Sequence, residues 1–184
     1  MLLCNLNIIG KKRTQNIRVT DGKITSVAET KEYSNTGKEN ETQIEFTDAI
    51  AFPGLINSHD HLDFNLFSQT GNRIYNNYTE WGKDIHKENK QGIDAVLKVP
   101  QHLRTQWGLY KNLLNGVTTV VNHGKKLKIQ NGLITVLQNN YSLHSVQFEK
   151  NWKWKLNRIF RNNEPVVIHI GEGTDKASHQ EIDE

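Results

Sequence analysis

Phe52-Pro-Gly-Leu-Ile-Asn-Ser-His-Asp-His-Leu62 is the stretch on which the reading of the fold turns. An apolar run, a Pro-Gly turn and a second short apolar run deliver two histidines, His59 and His61, with one residue between them. In an extended strand residues i and i+2 point to the same side, so the two imidazoles project together, as two ligands of one metal ion do. A His-x-His pair alone is weak; the rest of the chain decides what it means.

Upstream, residues 2–9 and 16–28 read as short strands. Asp21-Gly22 between Ile17-Arg-Val19 and Ile24-Thr-Ser-Val27 is a two-residue hairpin signal, because both positions accept positive φ. Residues 30–42 are polar and read as a loop, and Ile44 and Phe46 suggest one more half-exposed strand. Residues 1–50 therefore form an N-terminal β segment. Ala49–Ile56 is almost wholly apolar, the texture of a strand covered on both faces, as in a parallel sheet.

Downstream the texture changes. Residues 78–115 are helical in pattern with breaks expected near Gly92 and Pro100, and Leu103, Trp107, Tyr110, Leu113 and Leu114 keep one face apolar. Gly116 closes this helix as a C′ glycine does. Strands are expected at 117–121, leading into Asn122-His123-Gly124, at 133–137, at 142–146 and at 166–170, with an amphipathic helix over 150–162. Strands alternating with helical segments indicate βα units and a parallel sheet or barrel. Near the end, Ser178-His-Gln-Glu181 has the capping-box pattern that announces a helix, yet three residues remain, so a helix there is expected to have nothing to bury and the sequence reads as a fragment.

The 184 residues suit one large domain or two small ones. A formal net charge of +3 with mixed signs gives no argument for nucleic acid. Alternating Trp152-Lys-Trp154-Lys155 fits packing at a helix start better than base stacking. One cysteine, Cys4, excludes an internal disulfide and a Cys-based zinc site. No basic leader and no apolar run of membrane length is present, so a cytoplasmic protein with no nucleic-acid or membrane partner is expected.

In parallel α/β architectures functional groups collect at the carboxyl ends of strands. His59 with His61, His123, and His169 meet that rule, and His169 is followed three residues on by Glu172, a ligand with a possible acid/base partner. His86, His102, His144 and His179 read as structural or exposed.

These residues resemble the metal-dependent amidohydrolase superfamily, in its deaminase and chlorohydrolase branch. Pro53-Gly-Leu-Ile-Asn-Ser-His-Asp-His61 is similar to that family's first barrel strand with its metal pair, Gly116–Gly124 to its second, and His169 with Glu172 to its fifth-strand ligand and proton carrier. The Asp21-Gly-Lys-Ile24 hairpin resembles its N-terminal sandwich. The resemblance implies an α/β fold: a small β-sandwich segment over 1–50, then over 51–184 the first part of a (β/α)8 TIM barrel, truncated after barrel strand 5. It implies one divalent metal, zinc first and iron second, on His59, His61 and His169. His123 reads either as a substrate contact or as a loop histidine with a backbone hydrogen bond. The ion would draw the pKa of a water toward ~7, and Glu172 would carry its proton. The family's sixth-strand His and eighth-strand Asp have no counterpart; Asp175 and Asp183 lie too early. Asp60 and Asp63 are open as acceptors for the ligands' other nitrogens. A two-metal variant would draw on Glu149 or Lys150. The reaction implied is hydrolysis of carbon–nitrogen bonds other than peptide bonds, on a cyclic amide, amidine or aminated heterocycle. The competing reading is a catalytically incomplete metal-binding or partner-binding fragment that needs a C-terminal half chain or a second copy.

Overall fold

The computed structural model of the chain describes residues 1–32, 41–129, 132–159 and 164–183. Most of the loop expected over 30–42, and the last residues of the helix expected over 150–162, lie outside them. Met1–Pro53 and Gly54–Glu184 are two compact units.

The first unit is one five-stranded sheet. β1 (Leu2–Ile8), β2 (Gln15–Thr20) and β3 (Lys23–Glu29) are antiparallel neighbours. The turn between β2 and β3 has Asp21 at φ 51° and Gly22 at φ 72°, as the Asp-Gly signal requires. β4 (Gln43–Glu45) and β5 (Ile50–Ala51) both run parallel to β1. A sandwich segment was expected over 1–50; the described residues form a single mixed sheet, with Leu2, Leu6 and Ile17 buried and Ile24, Val27, Ile44 and Ile50 exposed.

In the second unit β6 (Leu55–Asp60) runs into a short 3-10 turn, Leu62–Phe64. α1 (Tyr78–Glu88), α2 (Lys90–Lys98) and α3 (Gln101–Leu114) follow, then β7 (Val117–Asn122), β8 (Thr135–Leu137), β9 (Tyr141–Ser145), α4 (Trp152–Ile159), β10 (Val166–His169) and α5 (Lys176–Asp183). β6, β7 and β8 make one parallel sheet and β9 with β10 another. Leu62, Leu109, Val120, Leu127 and Ile134 form the core between α3, the turn and the first of these sheets.

This corrects the expected partial (β/α)8 barrel. The described residues make several small sheets, and no ladder joins β8 to β9. A barrel repeat needs a helical crossover after every strand, roughly a dozen residues or more. The chain from β8 to β9 is residues 138–140, too short for one, and no helix is described between β7 and β8. The doubly covered strand expected over Ala49–Ile56 is also corrected. Pro53, which has no N–H for a ladder, separates β5 from β6, and Ile56 is 70% exposed.

The helical region breaks at Asn89 and at Val99-Pro100 rather than at Gly92, which lies inside α2. Val99 is extended (ψ 128°), as a residue before proline is biased to be. Gly116, at φ 77°, ends α3. α3 is turned against expectation: it buries Arg104, Thr105, Gly108, Leu109 and Asn112, while Leu103, Trp107, Tyr110, Leu113 and Leu114 face out. The reason is contact distance. A Cβ at Gly108 would lie 2.2 Å from the Leu62 carbonyl oxygen, so only glycine lets the helix rest against the turn. Arg104 then reaches past it to the Asp63 carbonyl at 2.9 Å.

α5 forms with a different cap from the one expected. Asp175 accepts from the Ser178 N–H at 2.9 Å, so Ser178 sits within the first turn. Far from burying nothing, α5 covers Ser178 and Glu181, and Glu181 Oε2 accepts from the Gly171 N–H at 3.0 Å.

Candidate metal centre

Each histidine of the cluster comes from the carboxyl end of a parallel strand. His59 lies in β6 and His61 immediately after it, His123 follows β7, and His169 is the last residue of β10. The β6–β7 pairing sets the first three: the His123 N–H donates to the Asp60 carbonyl at 2.7 Å. The His59 and His123 rings stack with centroids 4.6 Å apart and 5° between planes. His169 meets both edge-on, at 4.8 Å. The His59 and His61 rings are 5.4 Å apart and tilted by 51°, and the chain leaves strand conformation at His61 (ψ 81°).

One nitrogen from each of His59, His61, His123 and His169 lies within 4.8 Å of all the others, and four such donors can hold a metal ion. The tightest pair, His61 Nε2 and His169 Nε2, is 3.3 Å apart. Nitrogens held at about 2.05 Å by a tetrahedral ion stand about 3.3–3.4 Å apart. That pair already has ligand spacing; a pair at the 4.8 Å limit would close by about 1.4 Å to complete a tetrahedron. His169 Nδ1 is 2.7 Å from Glu172 Oε1, so it donates to that carboxylate and leaves Nε2 as the ligand atom. His123 is 5% exposed and its Nδ1 is buried with no hydrogen-bond partner. An orphaned imidazole nitrogen among three other imidazoles is a group that a bound ion, or a ligand of that ion, would satisfy.

The electrostatics favour neutral rings. Burial, and secondly the neighbouring His169, hold His59 and His61 below the usual histidine range. His123 is pushed down to about 4, again first by burial and then by His61, His169 and His59. Neutral imidazole is the form that binds metal.

The cluster borders a cavity of about 630 Å³ lined by His61, His123, His169 and Glu172 and by the aromatic residues Phe64, Tyr75, Tyr78 and Trp81. The Tyr75 hydroxyl donates to Asp84 at 2.6 Å and the Trp81 indole to the Thr70 carbonyl at 3.2 Å, so both polar tips are occupied within the protein. Glu172 is held in place by its backbone. Its carbonyl accepts from the Tyr78 N–H at 3.0 Å, Gly173 bridges Asn77, and Thr174 N–H donates to the Asn76 carbonyl at 2.8 Å. The Asn77 amide also donates to Asp175. Because Asn77 caps α1 and Asp175 caps α5, this clasp ties two helix starts to the loop that carries Glu172.

The sequence candidates therefore lie together: His59, His61, His123 and His169 in the cluster, and Glu172 beside it. His86, His102 and His179 are exposed elsewhere. His144 is the addition, lining the cavity with its ring 6.4 Å from His169; it lies within β9. Neither Asp60 nor Asp63 bonds an imidazole among the described residues. Asp60 takes amides from Asn57, Asn65 and Asn112, and Asp63 takes Gln101. Glu149, open as a bridging ligand, is engaged by Lys155 and the His144 N–H. Among the described residues no helix is long and apolar enough to cross a membrane. No protein-family model matches the chain, and no curated protein matches it.

Proposed function

We propose that the chain is a metal-dependent hydrolase of carbon–nitrogen bonds other than peptide bonds. The observation that carries this is the convergence of four imidazoles, three of which line a cavity together with Glu172. The resemblance of the His59–His61 and His169–Glu172 stretches to the amidohydrolases supports the same reading. His59, His61 and His169 would hold a divalent ion, zinc foremost, because a hydrolytic site keeps one position open for water and three imidazoles leave it. Bound there, such an ion acidifies a water and polarises the bond to be broken.

The remaining roles fall to the chain's own groups. One oxygen of Glu172 orients His169, and among the described residues no hydrogen bond engages the other, which can take a proton and pass it to the leaving nitrogen. His123, neutral above about pH 4, can donate a hydrogen bond to substrate without carrying charge. The aromatic lining of Phe64, Tyr75, Tyr78 and Trp81 suits a flat substrate such as a cyclic amide, an amidine or an aminated heterocycle.

Calorimetric titration of metal-stripped protein with Zn²⁺ tests the first half. One ion per chain is expected, with binding abolished in His61→Ala/His169→Ala; no binding by the folded wild type refutes the reading. Ammonia release from a panel of aminated heterocycles tests the second half. Tight binding without turnover on any of them would leave a metal-binding protein and remove the hydrolase.

A further inference from the structure

The residue between the two histidines makes more hydrogen bonds than either. Asp60 Oδ2 accepts from Asn57 Nδ2 at 2.9 Å and from Asn112 Nδ2 at 2.7 Å, and Oδ1 accepts from Asn65 Nδ2 at 2.6 Å. The second hydrogens of these amides are also placed: Asn57 on Asn112 Oδ1 at 3.0 Å, Asn112 on the Gly108 carbonyl at 2.9 Å, Asn65 on the His61 carbonyl at 3.3 Å. Asn57 Oδ1 in turn accepts from the His59 N–H at 3.3 Å. With the bond from the His123 N–H to the Asp60 carbonyl, this network touches the backbone of His59, of His61 and of His123. It fastens all three to α3 through Asn112.

We propose that Asp60 is the positioning residue of the metal centre: its carboxylate, held by three asparagine amides, pre-forms the His59–His61–His123 arrangement before an ion arrives. The inference rests on the metal-binding reading above. The chemistry explains why a carboxylate stands here. Three N–H donors face it, and only a group that accepts at both oxygens satisfies them. Asparagine has the same shape, but whichever way its amide is turned an NH₂ meets another NH₂. Outer groups that orient ligands in this way commonly govern about 10–100-fold of metal affinity.

Asp60→Asn therefore keeps the volume and breaks the network. Asp60→Asn/Asn65→Asp keeps the total charge and restores a donor opposite an acceptor at the broken position, while Asn57 and Asn112 still find an oxygen; it gives up only the long 3.3 Å bond from Asn65 to the His61 carbonyl. Zn²⁺ affinity by calorimetry and the absorption spectrum of the Co²⁺ form should be read on wild type and both variants, with circular dichroism and metal-free thermal unfolding as folding controls. The expected result is about 10–100-fold weaker Zn²⁺ binding and an altered Co²⁺ spectrum in Asp60→Asn, with most of both recovered in the double variant. A folded Asp60→Asn that binds within threefold of wild type with an unchanged Co²⁺ spectrum overturns the inference and leaves the metal reading standing. A loss of which the folded double variant recovers no part also overturns it, since with the total charge unchanged the restored bond would carry none of the effect. Absence of binding by wild type removes both. Should Asp60→Asn fail to fold, Asn65→Ala, which removes a single donor, must still weaken binding several-fold or the inference falls.

Discussion

Gly108→Ala sets two physical effects against each other, and the structure decides which wins. Alanine is the better helix former by about 1 kcal/mol, so an open helix position would gain stability. At Gly108 the new methyl would stand 2.2 Å from the Leu62 carbonyl oxygen and 2.9 Å from its carbonyl carbon. Ordinary carbon contacts lie near 3.5–4.0 Å, so α3 and the 3-10 turn would have to separate by roughly 1 Å. Overpacking of this kind costs about 1–3 kcal/mol. The shift also stretches bonds that span the contact, Arg104 Nη1 to the Asp63 carbonyl at 2.9 Å and Trp107 Nε1 to the Asn65 carbonyl at 3.2 Å, each worth about 1 kcal/mol net. The balance is a destabilisation of about 1–3 kcal/mol, with the change transmitted to His61 through its neighbour Leu62. Gly92 in α2 is the internal control: a methyl there meets nothing within 4 Å, so Gly92→Ala should stabilise by about 0.5–1 kcal/mol. Urea unfolding of metal-free protein at unchanged m-value measures both. If Gly108→Ala is as stable as Gly92→Ala, the packing of α3 on the turn is not what holds the site.

Three further outcomes follow from the same geometry. His59, His61 and His123 sit below the unfolded histidine value, so on acidification the unfolded chain takes up protons first. Metal-free stability should then be full above about pH 6.5 and fall toward pH 4; for His123, at about 4, the loss is up to about 3 kcal/mol, seen in urea midpoints and reduced in His123→Gln. Glu172→Gln can still accept from His169 Nδ1, so Zn²⁺ affinity should stay within a few-fold while turnover falls about 100-fold or more; equal turnover would exclude Glu172 as the proton carrier. Asp175→Ala removes the α5 cap and the bond from Asn77, and should cost about 1–2 kcal/mol in thermal unfolding while raising hydrogen exchange in residues 172–178.

What could be read from the chain alone was what is decided locally. The Asp21-Gly22 hairpin depends on two residues that tolerate positive φ, and the structure has both there. The four cluster histidines could be picked out because each closes or follows a β-run, and strand ends gather whatever the loops between them do. The sheet assembly depends on distant pairing and on connection lengths, and there the barrel expectation failed at the three residues 138–140. The face of α3 was misjudged because its apolar row, Leu103 to Leu114, outweighs in pattern a single glycine that permits close approach on the other side. The Asp60 network was out of reach for a different reason: asparagines at 57, 65 and 112 carry no period, and Asn112, which ties the network to α3, is brought to Asp60 only by the fold.

The distribution of satisfied and unsatisfied groups separates the scaffold from the site. Around Asp60 all six amide hydrogens of Asn57, Asn65 and Asn112 have acceptors. Across the β6–β7 pairing, His123 Nδ1 is buried without one, and three rings are held away from their protonated form. Leaving such a nitrogen unpaired costs about 1–3 kcal/mol, which a chain able to satisfy every neighbouring amide had the means to avoid. An ion bound at a thousandfold above its dissociation constant would return about 4 kcal/mol to the folded state, more than that cost. The arrangement is a satisfied polar frame beside four imidazoles that could hold a metal ion, and on the proposed reading the frame, through Asp60, decides where that ion is met.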